Sequence, residues 1–487
     1  MKTLLLNPPA KRISEKKDIP RYQHVGMGYL VSSVEKAGYV VKAIDAKLDH
    51  LGVKGVLKMI KDYSPDILGI TAMTHEVEMA SVIARDYKKI NPCVKVVLGG
   101  VHITALPEDT LKRYSSIDIG IIGEGEHTFP LIIKAFEKNE GDFCSISGVV
   151  FRNENGMIKC NDIEWIQNLD SLSRPGWKHF KNAKDYIIIT SRGCPYSCIF
   201  CMQASGKVVR KRSAENVVKE IEEVIEERAP EKFLFYDETF TLDKQRVHAI
   251  CDLLIRKGLN KKIKWSTTTR VDAVDRNVLS KMKEAGCNHI EFGVESGNEE
   301  MLKRIKKGIS RKQAERAVSL AKELNFHTEG AFILGLPHEN MESALETIDF
   351  AAKLNPDIVQ LGIMVPYPGT EVRSMALRQE GGYKLLSNDW AEYNKQLGNA
   401  LETDTLSRAD LERLQLIGYL RLFMYNRRYW DFIKFIFNFK REMLSYLRNI
   451  YRKRKETGKS RVSFFKVMQL VFSKSNNLAS YVPKVDK

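Results

Sequence analysis

The chain has 487 residues, of which 43% are apolar and 28% are charged, and its formal net charge is +16. Such a length allows two or three domains with sizeable cores, which excludes the small secreted scaffolds that depend on disulfides. The first apolar run is only LLL, and no stretch of about 18 apolar residues follows, so we expect a cytoplasmic protein without a signal peptide or membrane span.

Short apolar strands alternate with helices over residues 1–141. Five strands are predicted at TLLLN, VVKAID, DILGITA, VKVVLGG and IDIGIIG. This alternation predicts a doubly wound parallel sheet, which binds ligands at the carboxyl ends of its strands. The residues at those ends are Asn7, Thr71, Gly99, Gly100, His102, Gly123, Glu124 and Gly125. The glycines either let a bulky ligand approach the backbone or simply make tight turns.

Residues 142–185 are predicted to connect this block to a second one, and they include a small hairpin that turns at residues 154–156. The second block, 186–370, contains six strand–helix units, which run from YIIIT to DIVQLGIMVPY. Six units are two short of an eightfold barrel. We therefore predict a partial (β/α)6 barrel with its chemistry at the carboxyl ends of the strands.

Three of the eight cysteines follow the first strand of this barrel. Cys194, Cys198 and Cys201 form a CxxxCxxC array in SRGCPYSCIFCMQ. Zinc would need a fourth ligand, and a thioredoxin-like pair would leave Cys194 unexplained. Three thiolates can instead hold an iron–sulfur cluster with one iron open to a small molecule, which is the hypothesis we favour. We expect the others to be small core residues, namely Cys93, Cys144, Cys160, Cys251 and Cys287.

The remaining barrel strands end in residues that could grip a charged small molecule beside such a cluster. These residues are Asp237, Glu238, Arg270, Glu295, Ser296, Gly297 and Gly335. For Arg270 a structural ion pair with Asp272 or Asp275 is the alternative.

These motifs give the chain a family resemblance. The array with Phe200 before its last cysteine, together with FYDETFTLD, GVESGNEEMLKRIKKG, GAFILGLP and VPYPGTE, resembles the radical S-adenosylmethionine (SAM) superfamily. The first block, with LNPP, LGGVHITALPED and IIGEGEHTF, is similar to the cobalamin-binding domain of one large subgroup. The chain lacks the DxHxxG stretch that supplies a histidine to cobalt. The resemblance therefore implies cobalamin held without that histidine, or a domain that has lost its ligand.

The resemblance implies that the three cysteines hold a 4Fe–4S cluster whose open iron binds SAM. Cleavage of SAM would then give a 5′-deoxyadenosyl radical that removes hydrogen from an unactivated carbon. The contacts implied for SAM are Phe200 at the adenine, Asp237 and Glu238 at the amino group, Arg270 at the carboxylate, and Glu295 and Ser296 at the ribose or carboxylate. Gly297 and Gly335 complete the implied SAM site, and the strand-end residues of the first block form the implied cobalamin site.

Methyl transfer is the reaction that the resemblance favours. The alternative is an oxidative ring closure like that of the anaerobic magnesium-protoporphyrin monomethyl ester cyclases. A tRNA-methylthiolating enzyme would need a different first domain and more cysteines, and a non-enzymatic iron–sulfur scaffold would cleave no SAM. We expect an apolar substrate such as a lipid, an isoprenoid or a tetrapyrrole, an electron donor such as flavodoxin or ferredoxin, and no nucleic acid.

Residues 371–487 are predicted to be mostly helical and to end in a basic tail. From residue 427 onwards there are 16 lysines and arginines against 4 aspartates and glutamates. Apolar residues at helical spacing indicate an amphipathic helix, namely Phe432, Ile436, Phe439, Met443 and Leu447. This helix either caps the barrel or lies on an anionic membrane surface; RNA binding is a weaker alternative, because no RNA module accompanies it.

Overall fold

The computed structural model of the protein describes residues 1–9, 20–139, 141–394 and 399–438, with side chains described as far as residue 434. Two parallel sheets dominate this part of the chain, in the order that the sequence predicts. Most of the basic tail lies outside the described residues. The alternatives for the helix through Phe439, Met443 and Leu447 therefore remain predictions.

The first sheet has seven strands in the order β2-β1-β3-β4-β5-β6-β7. Its strands are β1 (Lys2–Asn7), β2 (Val40–Asp45), β3 (Ile67–Thr71), β4 (Lys95–Gly99), β5 (Ile119–Ile121), β6 (Val149–Arg152) and β7 (Ile158–Cys160). The accompanying helices are α1 (Val25–Lys36), α2 (Val53–Tyr63), α3 (Val77–Ile90), α4 (Val101–Ala105), α5 (Pro107–Arg113) and α6 (Gly125–Glu137). The first five strands are parallel, so the predicted doubly wound sheet is confirmed.

The predicted hairpin forms, but it extends this sheet instead of standing apart in a connector. β6 pairs antiparallel with β5, and β7 pairs antiparallel with β6. The turn closes with a hydrogen bond from Gly156 N to Asn153 O, and Gly156 has a φ of 74°. Valine and phenylalanine in VVFR are fully buried, which is why this strand joins the core.

The second sheet is the partial barrel, with six parallel strands in the order β8-β11-β12-β13-β14-β15. The strands of this block are β8 (Asp185–Ile188), β9 (Ser191–Arg192), β10 (Arg210–Lys211), β11 (Lys232–Phe235), β12 (Trp265–Arg270), β13 (Cys287–Glu295), β14 (His327–Leu334) and β15 (Ile358–Ile363). Its helices are α7 (Ala214–Arg228), α8 (Lys244–Arg256), α9 (Arg276–Glu284), α10 (Glu299–Arg304), α11 (Arg311–Glu323) and α12 (Met341–Leu354).

Local sequence signals explain where these helices begin and which strand faces are buried. The helices α7, α8, α9, α11 and α12 each start at a side chain that accepts a hydrogen bond from the backbone of the first turn: Ser213, Asp243, Asp275, Ser310 and Asn340. On β13, Ile290, Phe292 and Val294 are fully buried in the core shared with the helices. Side chains alternate along a strand, so the intervening residues face the inside of the barrel.

The C-terminal region is mostly helical within the described residues. It contains α13 (Glu371–Leu377), a hairpin of β16 (Tyr383–Leu385) and β17 (Leu401–Thr403), α14 (Arg408–Tyr425) and α15 (Tyr429–Asn438). Phe432 of α15 packs on Phe423 with ring centroids 6.0 Å apart, whereas the Trp430 side chain is 77% exposed. None of the described helices is long and apolar enough to cross a membrane.

The cysteines outside the array differ from expectation. Cys251 and Cys287 are buried as predicted, but the prediction of a core position is wrong for Cys93, Cys144 and Cys160, which are exposed. Cys93 lies in the turn between α3 and β4, and Cys160 lies on the outermost strand of its sheet. Composition alone cannot separate these positions from core positions.

Candidate functional site

The cysteine array lies in a loop that is closed by a short ladder. β9, directly before the loop, pairs antiparallel with β10, directly after it. Gly193 between β9 and Cys194 has a φ of 98°, and a Cβ there would lie 2.2 Å from the carbonyl oxygen of Val208. Within the loop Cys194 N donates to Gly206 O at 3.1 Å, and Cys201 N donates to Cys198 O at 3.1 Å. The ladder therefore holds three cysteines together at the end of β8.

Two basic side chains lie beside these thiols. The Arg270 guanidinium stacks 3.6 Å from the ring centre of Tyr196, between the first two cysteines. The buried Lys307 has its Nζ 5.9 Å from the ring centre of Phe200, which is the residue directly before the last cysteine. A hydrogen bond from the Cys201 thiol, supported by both cations, lowers the pKa of Cys198 below its usual value. Soft thiolate donors with compensating positive charge fit an anionic iron–sulfur cluster.

No three His, Cys, Asp or Glu side chains in the described ranges converge on a point suited to one metal ion. Such convergence is required only for a site that holds a single metal ion. A 4Fe–4S cluster takes one thiolate on each iron atom, so its cysteines need not meet at one point.

Arg270 forms an ion pair with Asp272, which was the expected alternative to a contact with a charged small molecule. Its Nε and Nη2 donate to the two carboxylate oxygens of Asp272 at 2.9 and 2.8 Å. Nη2 also donates to the carbonyl of Lys307 at 2.8 Å. Arg270 is therefore fixed from two sides while its guanidinium remains against the cysteine loop.

The end of β13 carries a local irregularity at Glu295. Its φ is 68°, and the register with β14 shifts between Gly293 and Glu295. The Glu295 carboxylate accepts a hydrogen bond from Lys307 Nζ at 2.7 Å, and both side chains are buried. A non-glycine residue held in this conformation costs free energy, and such residues cluster at functional sites.

The residues after Glu295 are turned away from the loop. The Ser296 hydroxyl is fully buried and lies 2.9 Å from Thr347 Oγ1 on α12. A Cβ at Gly297 would meet Phe350 of α12 at 2.4 Å. The Ser296 hydroxyl is thus directed toward the helix layer, and its contact with SAM remains a prediction.

The two acidic residues after β11 have different environments. Asp237 is buried and accepts hydrogen bonds from Thr190 N, Thr190 Oγ1 and Ser191 Oγ at 2.5–2.7 Å. Those contacts hold the strand that enters the cysteine loop. Glu238 is exposed, and its carboxylate accepts from Gly193 N at 3.4 Å. Gly335 has a φ of 84° and packs against Leu411 of α14, as expected of a turn.

The carboxyl edge of the first sheet is open at its centre. A Cβ on Gly99 would meet no atom within 4 Å, so open space lies above this strand end. Gly100 has a φ of 99°, and a Cβ there would lie 2.8 Å from the carbonyl of Ala72. Met73, just beyond Thr71, is 48% exposed at the same edge. An open glycine edge beside an exposed methionine fits a large flat ligand such as a corrin ring.

Polar side chains at this edge are mostly held by protein contacts. Asn7 Nδ2 donates to Asp45 at 2.8 Å, and Gly123 N donates to Thr104 Oγ1 at 3.1 Å. His102 is 1% exposed and lies edge-on to Trp390 at 5.1 Å, and burial lowers its pKa to about 4. Gly125 begins α6, where a Cβ would touch Leu30.

Glu124 belongs to a buried network that joins the two sheets. Arg192, two residues before Cys194, donates to Glu124 at 2.9 Å and to Glu126 at 2.6 Å. Arg210 of β10 donates to the other Glu124 oxygen at 2.6 Å. Burial alone would raise the pKa of Glu124, but the two arginines outweigh it and keep that pKa low. Both Glu124 oxygens are thus engaged by the barrel instead of pointing at a ligand.

The two carboxyl edges therefore face one another. A Cβ on Gly369, after the last barrel strand, would lie 3.1 Å from Met202 of the cysteine loop and 3.2 Å from Ala105 of α4. Together with the Arg192 contacts, this places the cysteine loop directly against the edge of the first sheet.

No sequence motif singles out Lys307 or Arg192 as a site residue. Lys307 stands in a run of basic residues, RIKK, which is typical of a solvated surface. Only the fold shows that Lys307 is 7% exposed while its neighbour Lys306 pairs with Glu371 at the surface.

Comparison with known proteins agrees with this arrangement. A family model described as the radical SAM superfamily matches residues 188–351, and one described as the B12 binding domain matches residues 21–133. An uncharacterised methyltransferase of Pyrococcus horikoshii is 35% identical over 403 residues, which cover 81% of this chain and 86% of that protein.

Two further proteins are similar. The anaerobic magnesium-protoporphyrin IX monomethyl ester cyclase of Cereibacter sphaeroides is 28% identical over 416 residues, covering 82% of this chain and 66% of the cyclase. The radical SAM methyltransferase TsrM of Kitasatospora setae, solved with cobalamin and a [4Fe-4S] cluster, has a TM-score of 0.68 at 19% identity, covering 85% of this chain and 90% of TsrM. The chain therefore belongs to the radical SAM superfamily, as a member with a B12-binding domain, and it is an enzyme that uses a 4Fe–4S cluster, SAM and cobalamin.

Proposed function

We propose that this enzyme transfers a methyl group from SAM to an unactivated carbon of a largely apolar substrate. The observation that carries the proposal is the contact between the cysteine loop and the open edge of the first sheet. One substrate bound between these edges could reach both cofactors. The proposal is further supported by the identity of 35% to a methyltransferase over most of both chains.

Cys194, Cys198 and Cys201 are the residues that we propose as the cluster ligands. When bound, the cluster supplies the electron that cleaves SAM into methionine and a radical able to remove hydrogen from carbon. Lys307 and Arg270 balance the negative charge of the thiolates. The pair of Lys307 with Glu295 also fixes the end of β13 against Phe200, which we propose as the side chain beside the adenine.

We propose Glu238 as the group that binds the SAM amino group, because its carboxylate is exposed beside Gly193 whereas that of Asp237 is occupied. Glu238→Gln should raise the KM for SAM about tenfold or more without changing the free energy of unfolding, since hydrogen bonds to charged groups contribute about 1.5–3 kcal/mol.

Asp237→Asn is the matched variant. It should lower the free energy of unfolding by about 1–3 kcal/mol, because it disturbs a buried carboxylate that accepts hydrogen bonds from Thr190, Ser191 and Arg246. Denaturant titrations and SAM-cleavage kinetics on both variants measure these effects. A stable Asp237→Asn protein with weakened SAM binding would reverse the two assignments.

For cobalamin we propose the edge formed by Asn7, Thr71, Gly99, Gly100 and Gly123, with His102 beneath it and backbone groups at 124–125. The edge offers open space and little side-chain charge. Since the chain lacks DxHxxG, we expect bound corrinoid whose absorbance shows no histidine on cobalt. Failure of the intact protein to bind hydroxocobalamin would contradict this assignment.

Oxidative cyclisation is the second candidate, favoured by the 28% identity to the cyclase. The two reactions differ in what becomes of SAM. Methyl transfer yields S-adenosylhomocysteine as well as 5′-deoxyadenosine, whereas oxidative ring closure consumes SAM only as the source of the radical and so yields 5′-deoxyadenosine from it alone. The cofactor-loaded protein, reduced and given SAM with a deuterated methyl group, should form both products. Formation of 5′-deoxyadenosine alone would favour the cyclase reaction.

We also propose a low-potential donor, such as flavodoxin or ferredoxin, for the electron, and a lipid, an isoprenoid or a tetrapyrrole as substrate class. The domain limits 1–141, 142–185, 186–370 and 371–487 remain our proposal, with the hairpin of the second segment attached to the first sheet.

A further inference from the structure

The inner wall of the partial barrel carries polar side chains that belong to neither proposed cofactor site. Thr268 on β12, Glu291 on β13 and Glu329 on β14 are register neighbours, so their side chains stand side by side across three strands. The alternate residues of β13 are packed against the helices, which places Glu291 on the inner surface.

The two carboxylates on this wall are not equally satisfied. Glu329 lies 3.0 Å from His289 Nε2 and also accepts a hydrogen bond from Gln360 Nε2. Among the residues that the structure describes, Glu291 accepts a single hydrogen bond, from Thr268 Oγ1 at 3.3 Å. Burial, and then the neighbouring Glu329 charge, raise the pKa of Glu291. A donor or a cation at this position would satisfy the open oxygen and relieve the repulsion.

The position of this wall relative to the cysteine loop suits a substrate. Arg270, which stacks on Tyr196 of the loop, lies two residues beyond Thr268 on β12. Two residues along a strand span about 6–7 Å. Glu291 and Glu329 therefore lie one layer deeper in the barrel than the residues that contact the loop.

Open apolar surface lies beside the carboxylates and is a separate sign of a ligand. The Tyr236 side chain, at the end of β11, is 63% exposed, and Ile358 at the start of β15 is 40% exposed. Ile358 is the register neighbour of Glu329. Phe235 is the register neighbour of Thr267, so the next residue, Tyr236, stands beside Thr268 and one strand further from Glu291 on the same wall.

We propose that Glu291 binds a cationic hydrogen-bond donor of the substrate, such as a protonated amine, while Tyr236 and Ile358 contact its apolar part. This inference rests on the proposed function and narrows it, because the substrate is then amphipathic and carries its polar group one layer below the cysteine loop. Glu329, held by His289 and Gln360, positions the wall and adds negative charge.

The test uses three eight-carbon probes, octylamine, octanol and octanoate, titrated calorimetrically into the reconstituted holoenzyme with SAM. Octylamine should bind at millimolar concentration and at least about tenfold more tightly than octanoate. The ammonium group of octylamine forms a charged hydrogen bond with Glu291, whereas the carboxylate of octanoate is repelled by it. Glu291→Gln should remove that difference. Glu300→Gln, at an exposed position on α10 paired with Arg304, should leave it unchanged.

SAM cleavage measured on the same preparations separates this inference from the proposed function. A Glu291→Gln protein that still cleaves SAM is folded and loaded, so its probe affinities report the subsite alone. Equal or tighter binding of octanoate, no binding of octylamine, or an unchanged preference in Glu291→Gln would each overturn the inference while leaving the radical chemistry intact. Loss of SAM cleavage in the wild type would instead count against the proposed function.

Discussion

Replacing Cys198 by alanine should abolish both the iron–sulfur cluster and the cleavage of SAM. The anaerobically reconstituted wild type should hold about four irons per chain and, with a strong reductant, form 5′-deoxyadenosine. The variant should lose most of the iron, because two thiolates remain where three are needed. A hydrogen bond from the Cys201 thiol, with Lys307 and Arg270 nearby, lowers the pKa of the Cys198 thiol, which favours the thiolate form that binds iron.

Cys93→Ala is the control for this experiment, since Cys93 is exposed in a turn of the first block. It should keep the full iron content and the full rate of SAM cleavage. Iron and sulfide analysis, together with chromatography of the nucleoside product, gives both quantities. Undiminished 5′-deoxyadenosine formation by Cys198→Ala would mean that the array is not the cluster site.

Arg192→Met should destabilise the protein more than any surface substitution. Arg192 bridges Glu124 and Glu126 across the boundary between the two sheets, and all three side chains are buried. Removing one partner leaves buried negative charge without compensation, which costs about 3–5 kcal/mol. Arg210 still pairs with Glu124, so the larger part of the cost falls on Glu126.

Arg85→Met is the matched control, because Arg85 is exposed and, among the residues that the structure describes, forms an ion pair only with its neighbour Asp86. Its effect on the free energy of unfolding should stay below about 0.5 kcal/mol. Urea titrations followed by circular dichroism compare the two variants with the wild type. If Arg192→Met were as stable as Arg85→Met, the network would not hold the sheets together.

The strand–helix alternation was enough to predict both sheets, because most of the parallel strands are rich in apolar residues and are followed by a helix. Apolar strand segments such as ILGIT and FIL, and capping residues such as Ser213 and Ser310, mark their elements locally. Local signals of this kind could not predict which sheet the hairpin at 149–160 joins. Its pairing with β5 depends on contacts between segments that are distant in the sequence.

Some residues of the site could be predicted from the sequence and others could not, for physical reasons. The cysteine spacing carries its own chemistry, so the array could be singled out from sequence. Ser296 and Glu124 carry the right functional groups, but a bulge turns Ser296 toward α12 and two arginines occupy Glu124. Lys307 lies in a run of basic residues, and nothing local shows that it alone is buried.

The central claim is that both cofactors serve one reaction at the contact between the two sheet edges. The most direct test is electron paramagnetic resonance of the intact protein that holds reduced cluster and cob(II)alamin together. We expect each signal to be broadened by the other, with the broadening lost when the cluster is absent, as in Cys198→Ala. A spectrum equal to the sum of the two isolated signals would contradict the claim, because it would place the cofactors in separate sites.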